Sequence, residues 1–222
     1  MDNVKNDYYY VKRILRSVET LTRYLDGKSL DDLLCDGFLR DAIENRFTKI
    51  AEDTSHLTKE FKVSHNEIPW GAITKIRNTV CHDYDVVDAS SLYKTIKINF
   101  PDFRKNLLVT TNCHYMNLYP ESFALIENRT KTVEMRLNDE KRKLLKVGDL
   151  IVFTNGETKK ELITEVIDLK VFNSFDELYT KYSKKILGYK DNEIANPKDM
   201  NEYYSDDNIN KYGALAIEIS LF

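Results

Sequence analysis

The sequence predicts an α+β protein: an antiparallel helical bundle over residues 1–108, then a small mixed β-barrel over residues 109–222. Two patterns predict it. In the first half, apolar residues recur at three- and four-residue steps, the period of a helix with one buried face. In the second half, short runs alternate polar and apolar residues between Gly and Asn turn signals, the period of a strand. The hydrophobic fraction of 42% and charged fraction of 31% are those of a folded globular chain.

The elements follow in order. Tyr10, Ile14, Val18, Leu21 and Leu25 form one apolar stripe, which Asp26-Gly27 ends. Ser29 is placed to cap a short helix through Leu30, Asp31 and Asp32. Leu39, Ile43, Phe47, Ile50 and Leu57 mark a second long amphipathic helix. Ile68-Pro69-Trp70 opens a third, with Pro69 suited to the first turn, and Ile73, Ile76 and Val80 face inward along it. Leu92, Ile96 and Ile98 belong to a fourth, expected from about Asp88 to Asn99. Phe100-Pro101 is expected to close it, with a last helical turn reaching about Leu107. Short connections make these helices a bundle. The boundary is expected near Arg104–Asn112. Strand patterns then cover Lys131–Leu137, Leu150–Phe153, Leu162–Val171 and Ala214–Phe222. Val147-Gly148-Asp149 reads as a turn and Thr154-Asn155-Gly156 as a hairpin turn. Short helices are expected at Pro120–Asn128, Phe175–Ser183 and Asp199–Tyr204.

Composition narrows the chemistry. Three scattered cysteines, Cys35, Cys81 and Cys113, do not form a disulfide framework. The four histidines are far apart, without zinc-ligand spacing, and no metal is expected. Asp31-Asp32 and Asp206-Asp207 lack a calcium-ligand pattern, and no Gly-rich phosphate loop is present. No apolar stretch approaches the roughly 18–20 residues that span a bilayer, and the polar, aromatic N-terminus is not a signal peptide. A cytoplasmic protein without a membrane partner is therefore expected. A net charge of −3 excludes a generally basic nucleic-acid coat. It leaves room for an RNA enzyme, which needs only a locally positive cleft. Trp70 reads as a core anchor, and part of Tyr8-Tyr9-Tyr10 as a staple of the first helix.

The richest stretch is Arg77-Asn78-Thr79-Val80-Cys81-His82-Asp83-Tyr84. At roughly 100° per residue, Asn78 and His82 are neighbours on one helix face, and Arg77 and Tyr84 are nearly eclipsed. The four share a polar arc, with Ile76 and Val80 toward the opposite side. Such residues suit RNA cleavage by internal attack of the 2′-hydroxyl, which needs a base, an acid and a cation beside the phosphate. Histidine serves as acid or base near neutral pH, and arginine clamps phosphate bidentately. One histidine per chain cannot make both proton transfers at once, so a homodimer that brings two arcs face to face is expected. A surface or capping role for Arg77 and His82 is the alternative from the residues alone.

The segment resembles the R-x-x-x-x-H-x-Y signature of HEPN-superfamily toxins, specifically the HepT-like group, over about residues 7–107. Ile68-Pro69-Trp70 looks like that group's I-P-W element, and Ala51-Glu52 stands where the group often has G-E-A, so the glycine is absent. The resemblance implies a metal-independent endoribonuclease at a dimer interface, with Arg77 and His82 catalytic and Asn78 supporting them. It also implies that Tyr84 is a target of adenylylation by a partner nucleotidyltransferase antitoxin. AMP there would block the phosphate site by bulk and charge.

In the second half, Lys131-Thr132-Val133-Glu134-Met135-Arg136-Leu137 and Val147-Gly148-Asp149-Leu150-Ile151-Val152-Phe153 resemble the core of an ASCH domain, of PUA-like fold, over about residues 113–222. Alternation puts Lys131, Val133 and Met135 on one strand face and Thr132, Glu134 and Arg136 on the other. Lys131 begins the strand, so twist can still bring it to the same mouth. Lys141 and Arg142 would add positive charge, and Tyr115 and Tyr119 surfaces for base stacking. A structural Glu134–Arg136 ion pair is an equal alternative to a ligand role. The resemblance implies either RNA binding or hydrolysis of the amide of acetylated cytidine. For the latter Lys131 matches the family's lysine, but Glu134 stands where its threonine would be.

Together the two resemblances imply a ribonuclease of toxin–antitoxin or antiphage type, without cofactor. Its substrate would be RNA, tRNA being one candidate, and the ASCH domain would bind RNA or a modified nucleoside through Lys131, Glu134 and Arg136. The alternative is a non-catalytic HEPN dimer carrying an RNA-binding or amidohydrolase ASCH domain.

Overall fold

Asn6 and Thr58 begin two helices in the same way, each with a side-chain oxygen that accepts from the backbone N–H three residues on. Helix α1 (Asp7–Tyr24) buries Val11, Ile14, Leu15, Val18 and Leu21, the stripe its spacing predicts, and ends before Gly27, which takes φ +66°. Short helix α2 (Leu30–Cys35) carries a full capping box between Ser29 and Asp32. Helix α3 (Gly37–Ser55) buries Ile43, Phe47 and Ile50. Asp7 accepts from the backbone N–H and the hydroxyl of Thr58, and Arg13 meets Asp53, so α1 and α3 run antiparallel. Leu57 is buried beyond the end of α3, and Thr58 caps a further helix, α4 (Lys59–Ser64), that the apolar spacing did not announce.

The computed structural model describes residues 6–73 and 88–222. The chain divides into two units, 1–112 and 113–222. Residues 70–73 are helical, and the Pro69 carbonyl just before them accepts from the backbone N–H groups of Ala72 and Ile73. Trp70 is buried and its indole N–H donates to the His65 carbonyl, which fits a core anchor.

The fourth predicted helix does not close at Phe100-Pro101. Helix α5 (Ala89–Lys94) runs into a π-helical turn, Thr95–Asn99, and on into α6 (Phe100–Val109). Pro101 has no N–H to donate and its ring crowds the preceding turn. The wider turn absorbs both defects: the Phe100 N–H reaches back five residues to the Thr95 carbonyl. Proline here re-spaces the helix instead of ending it.

The second unit is a curled half-barrel of five strands in the order β1-β3-β4-β5-β2. The strands are β1 (Cys113–Leu118), β2 (Val133–Leu137), β3 (Leu150–Asn155), β4 (Glu161–Phe172) and β5 (Ala214–Leu221). β1 and β3 are parallel, with Met116 opposite Phe153, and every other pairing is antiparallel. β1 was missing from the sequence reading, because only Met116 and Leu118 of its six residues are buried.

The β3–β4 connection is longer than the expected Thr154-Asn155-Gly156 turn. Asn155 ends the strand, and its side-chain oxygen accepts from Glu157 and Thr158. Lys159, not Gly156, takes the left-handed conformation at φ +61°.

Each sheet face has its own core. Ile151, Phe153, Val166, Leu215 and Ile217 pack with Phe123 and Ile126 of α7 (Pro120–Glu127). Val133, Met135, Leu137, Ala214 and Ala216 pack on the other face. They meet α8 (Phe175–Lys181), Leu187 of α9 (Lys184–Leu187) and Met200 of the 3₁₀ segment Pro197–Glu202. A last short helix, α10 (Asp206–Tyr212), precedes β5.

Candidate ligand site at the sheet seam

Arg77, Asn78, His82 and Tyr84 lie outside the described residues. The site that can be built atom by atom is in the second unit, at the open seam between its edge strands β1 and β2. Lys131 precedes β2, where its backbone N–H donates to the Leu125 carbonyl. Lys131 lies outside β2, which begins at Val133, so strand alternation does not govern it and it reaches Glu134 beside Arg136. Its Nζ lies 2.9 Å from Oε2 of Glu134, and Arg136 Nε lies 2.8 Å from Oε1. Glu134 Oε2 and Arg136 Nε are enclosed without an aligned hydrogen bond, so these contacts are ion pairs by distance. Glu134 is only 4% exposed.

Burial alone would push the Glu134 carboxyl up, but the two cations outweigh it and hold the group below the ordinary carboxylate range. The carboxylate is therefore an anion fixed between two cations, and the centre retains one net positive charge.

Arg136 reaches across the seam. Its NH2 group donates to the Asn117 carbonyl of β1 at 3.0 Å, and Tyr204 is another hydrogen-bond partner. One guanidinium thus connects β2, β1 and the segment before α10. Gly188, at φ +108°, lets the backbone pass close to Lys131: a Cβ there would lie 3.0 Å from the lysine Cδ.

These three residues form part of the wall of a cavity of about 760 Å³. Five tyrosines share the lining: Tyr119, Tyr179, Tyr189, Tyr203 and Tyr204. The Tyr119 and Tyr203 rings meet at 5.6 Å and are 67% and 51% exposed. In the same lining, Tyr189 donates to Asp199, and the Tyr179 and Tyr189 hydroxyls lie 2.7 Å apart. Burial, the neighbouring Tyr179 hydroxyl and Asp199 push the Tyr189 phenol up, so it remains protonated.

The expected enrichment of positive charge is not found at this cavity. Lys131 and Arg136 are its two cationic lining residues, against five carboxylates: Glu121, Glu134, Glu193, Asp199 and Glu202. Lys141 and Arg142 are not in the lining, and Arg142 pairs with Asp139 instead. Tyr119 lines the cavity, whereas Tyr115 does not. Sequence reasoning missed Asn117, Tyr179, Tyr189, Asp199 and Tyr203. The available signal was the crowding of tyrosines at 179, 182, 189, 203 and 204.

Another polar centre pairs His114 Nε2 with Asp149 Oδ2 at 3.0 Å. Asp149 also accepts from the Lys146 backbone, which anchors the Val147-Gly148-Asp149 turn. Among the described residues, no group of three or more His, Cys, Asp or Glu side chains is arranged to hold a metal, and no helix is long and apolar enough to cross a membrane.

Comparison with known families matches residues 14–109 to the model described as ribonuclease HepT-like, and residues 116–222 to the ASCH domain. The gamma-glutamylcyclotransferase and putative RNase of Methanocaldococcus jannaschii is 30% identical over 183 residues, 81% of this chain and 70% of that protein. The probable ribonuclease HepT of Thermococcus cleftensis is 28% identical over 95 residues, 43% of this chain and 86% of its own length. A putative RNase of Caldanaerobacter subterraneus is 30% identical over 98 residues, 44% of this chain and 88% of its own.

Proposed function

Because the chain belongs to the HepT-like ribonuclease family through residues 14–109 and carries an ASCH domain over 116–222, we propose that its helical half is a metal-independent endoribonuclease. The observation that carries this reading is the Arg77–Tyr84 motif falling within the family match. Arg77 binds the scissile phosphate, His82 transfers the proton, and Asn78 supports them. A homodimer supplies the second histidine needed for a concerted acid and base. The substrate is RNA, with tRNA as the first to test. The role is that of a toxin or antiphage effector in the cytoplasm, restrained by a nucleotidyltransferase antitoxin that places AMP on Tyr84.

The ASCH half serves this reading as a binding domain. Lys131 Nζ is engaged by Glu134, and Glu134 replaces the threonine of the amide-hydrolysing pattern. Both features favour recognition over hydrolysis of acetylated cytidine. The rim carboxylates favour a base or nucleoside in the cavity over a run of phosphates.

Total tRNA incubated in EDTA with the full chain, His82→Ala or Arg77→Ala tests the ribonuclease. Cleavage by the parent and none by either folded variant is expected. A His82→Ala protein that cleaves as fast as the parent would refute the site. An inactive parent carrying an added AMP mass on the Tyr84 peptide would fit the restrained form, and an inactive, unmodified dimer would favour a binding protein.

A further inference from the structure

We infer that the seam cavity of the ASCH half takes a positively charged nucleobase, with its carbonyl edge inward and its cationic edge at the tyrosine rim. The inference rests on the reading of this half as a nucleoside-binding domain and adds the sign of the ligand. The cavity is polarised along its depth. At one end Lys131 and Arg136 flank a single anion, Glu134, leaving donors and one net positive charge to meet a ligand's acceptor. At the other end the charge reverses.

Glu121 and Glu193 share one cation, Lys190, at 2.7 and 3.7 Å. Asp199 and Glu202 add two further carboxylates to the lining. These acids surround an aromatic surface. Glu121, Asp199 and Glu202 line the same cavity as Tyr119 and Tyr203, and after burial their charges help push the Tyr203 phenol up. Tyr203 and its neighbour Tyr119 are both more than half exposed. Aromatic faces attract cations through their quadrupoles, and adjacent carboxylates reinforce that attraction. A neutral base would gain the stacking but not the charge, and a phosphate at the rim would be repelled.

3-Methylcytidine and 5-methylcytidine are isomers of equal size. At pH 7 the first is a cation and the second is neutral, and both keep the O2 carbonyl. Calorimetric titration of the full chain with each, and with 3-methylcytidine 5′-monophosphate, reads the sign directly. The cationic nucleoside is expected to bind at least about ten-fold more tightly than its neutral isomer, the size of one favourable cation–π contact. The monophosphate is expected to bind more weakly than its nucleoside. Tyr203→Ala and Glu202→Gln should each shrink the margin, while Tyr203→Phe, which keeps the ring, should preserve it. Equal or tighter binding of 5-methylcytidine overturns the inference and leaves the nucleoside reading standing. Binding of neither nucleoside to folded protein overturns both. The tRNA cleavage assay is separate and reports only on the helical half.

Discussion

Glu134 and Asp53 are both buried carboxylates beside arginine, yet their acidities move in opposite directions. Asp53 faces Arg13, whose guanidinium is partly in solvent; burial dominates and pushes the carboxyl up. Glu134 has two cations in the same enclosed space, and they outweigh burial. The difference is one of partner number and solvent access, and it sets opposite pH effects. A lowered folded-state value means that Glu134 stabilises the protein above the ordinary carboxylate range. That contribution disappears as pH falls through the lowered value. Glu134→Gln leaves two enclosed cations without their anion, so a loss of about 3–5 kcal/mol at pH 7 is expected. In urea denaturation the deficit should narrow steadily on acidification below about pH 4, as the parent loses the same charge. A constant deficit down to the acid limit would show that packing, not charge, holds the centre together.

At the scale of elements, the joints depend on backbone more than on side chains. Gly213 has φ +69°, and a Cβ there would lie 2.5 Å from the Phe172 carbonyl oxygen, where β4 ends beside β5. Gly213→Ala is expected to cost about 1–3 kcal/mol from backbone strain, plus the displacement of that strand end. A thermal midpoint within a degree of the parent's would contradict it. The same scale explains what was legible in the sequence. α1 and α3 announced themselves by an apolar stripe, and β2, β3, β4 and β5 by apolar alternation or a continuous apolar run between turn residues. β1 did not, since its burial is limited to two residues, and α4 did not, since six residues give too little periodicity. Pro101 reads as a stop in any linear pattern, because the π-helical turn that accommodates it precedes it and has no residue signature. At the site, Lys131, Glu134 and Arg136 could be named from a seven-residue stretch. Of the tyrosine rim only Tyr119 could, since Tyr203 comes from a distant helical insertion that only the fold brings to the end of β1.

At the scale of the molecule, each unit has its own buried core, and every lining residue of the seam cavity belongs to 113–222. A fragment 113–222 is therefore expected to fold alone, with cooperative urea unfolding and the same 3-methylcytidine affinity as the full chain. A fragment that folds but binds more than ten-fold worse would show that the helical half contributes to the site. The strand order carries a consequence for how the cavity comes into being. β5 follows the other strands in the chain, yet it lies between β4 and β2. While a ribosome is still feeding out the tyrosine-rich insertion, β2 has no partner in the sheet. Glu134 and Arg136 then wait in water, where their charges cost nothing. The buried triad can form only after residues 214–221 slot between the two waiting strands, a late, long-range step. Nascent chains interrupted anywhere before that point would carry a helical half able to fold beside a sheet that has not yet been assembled.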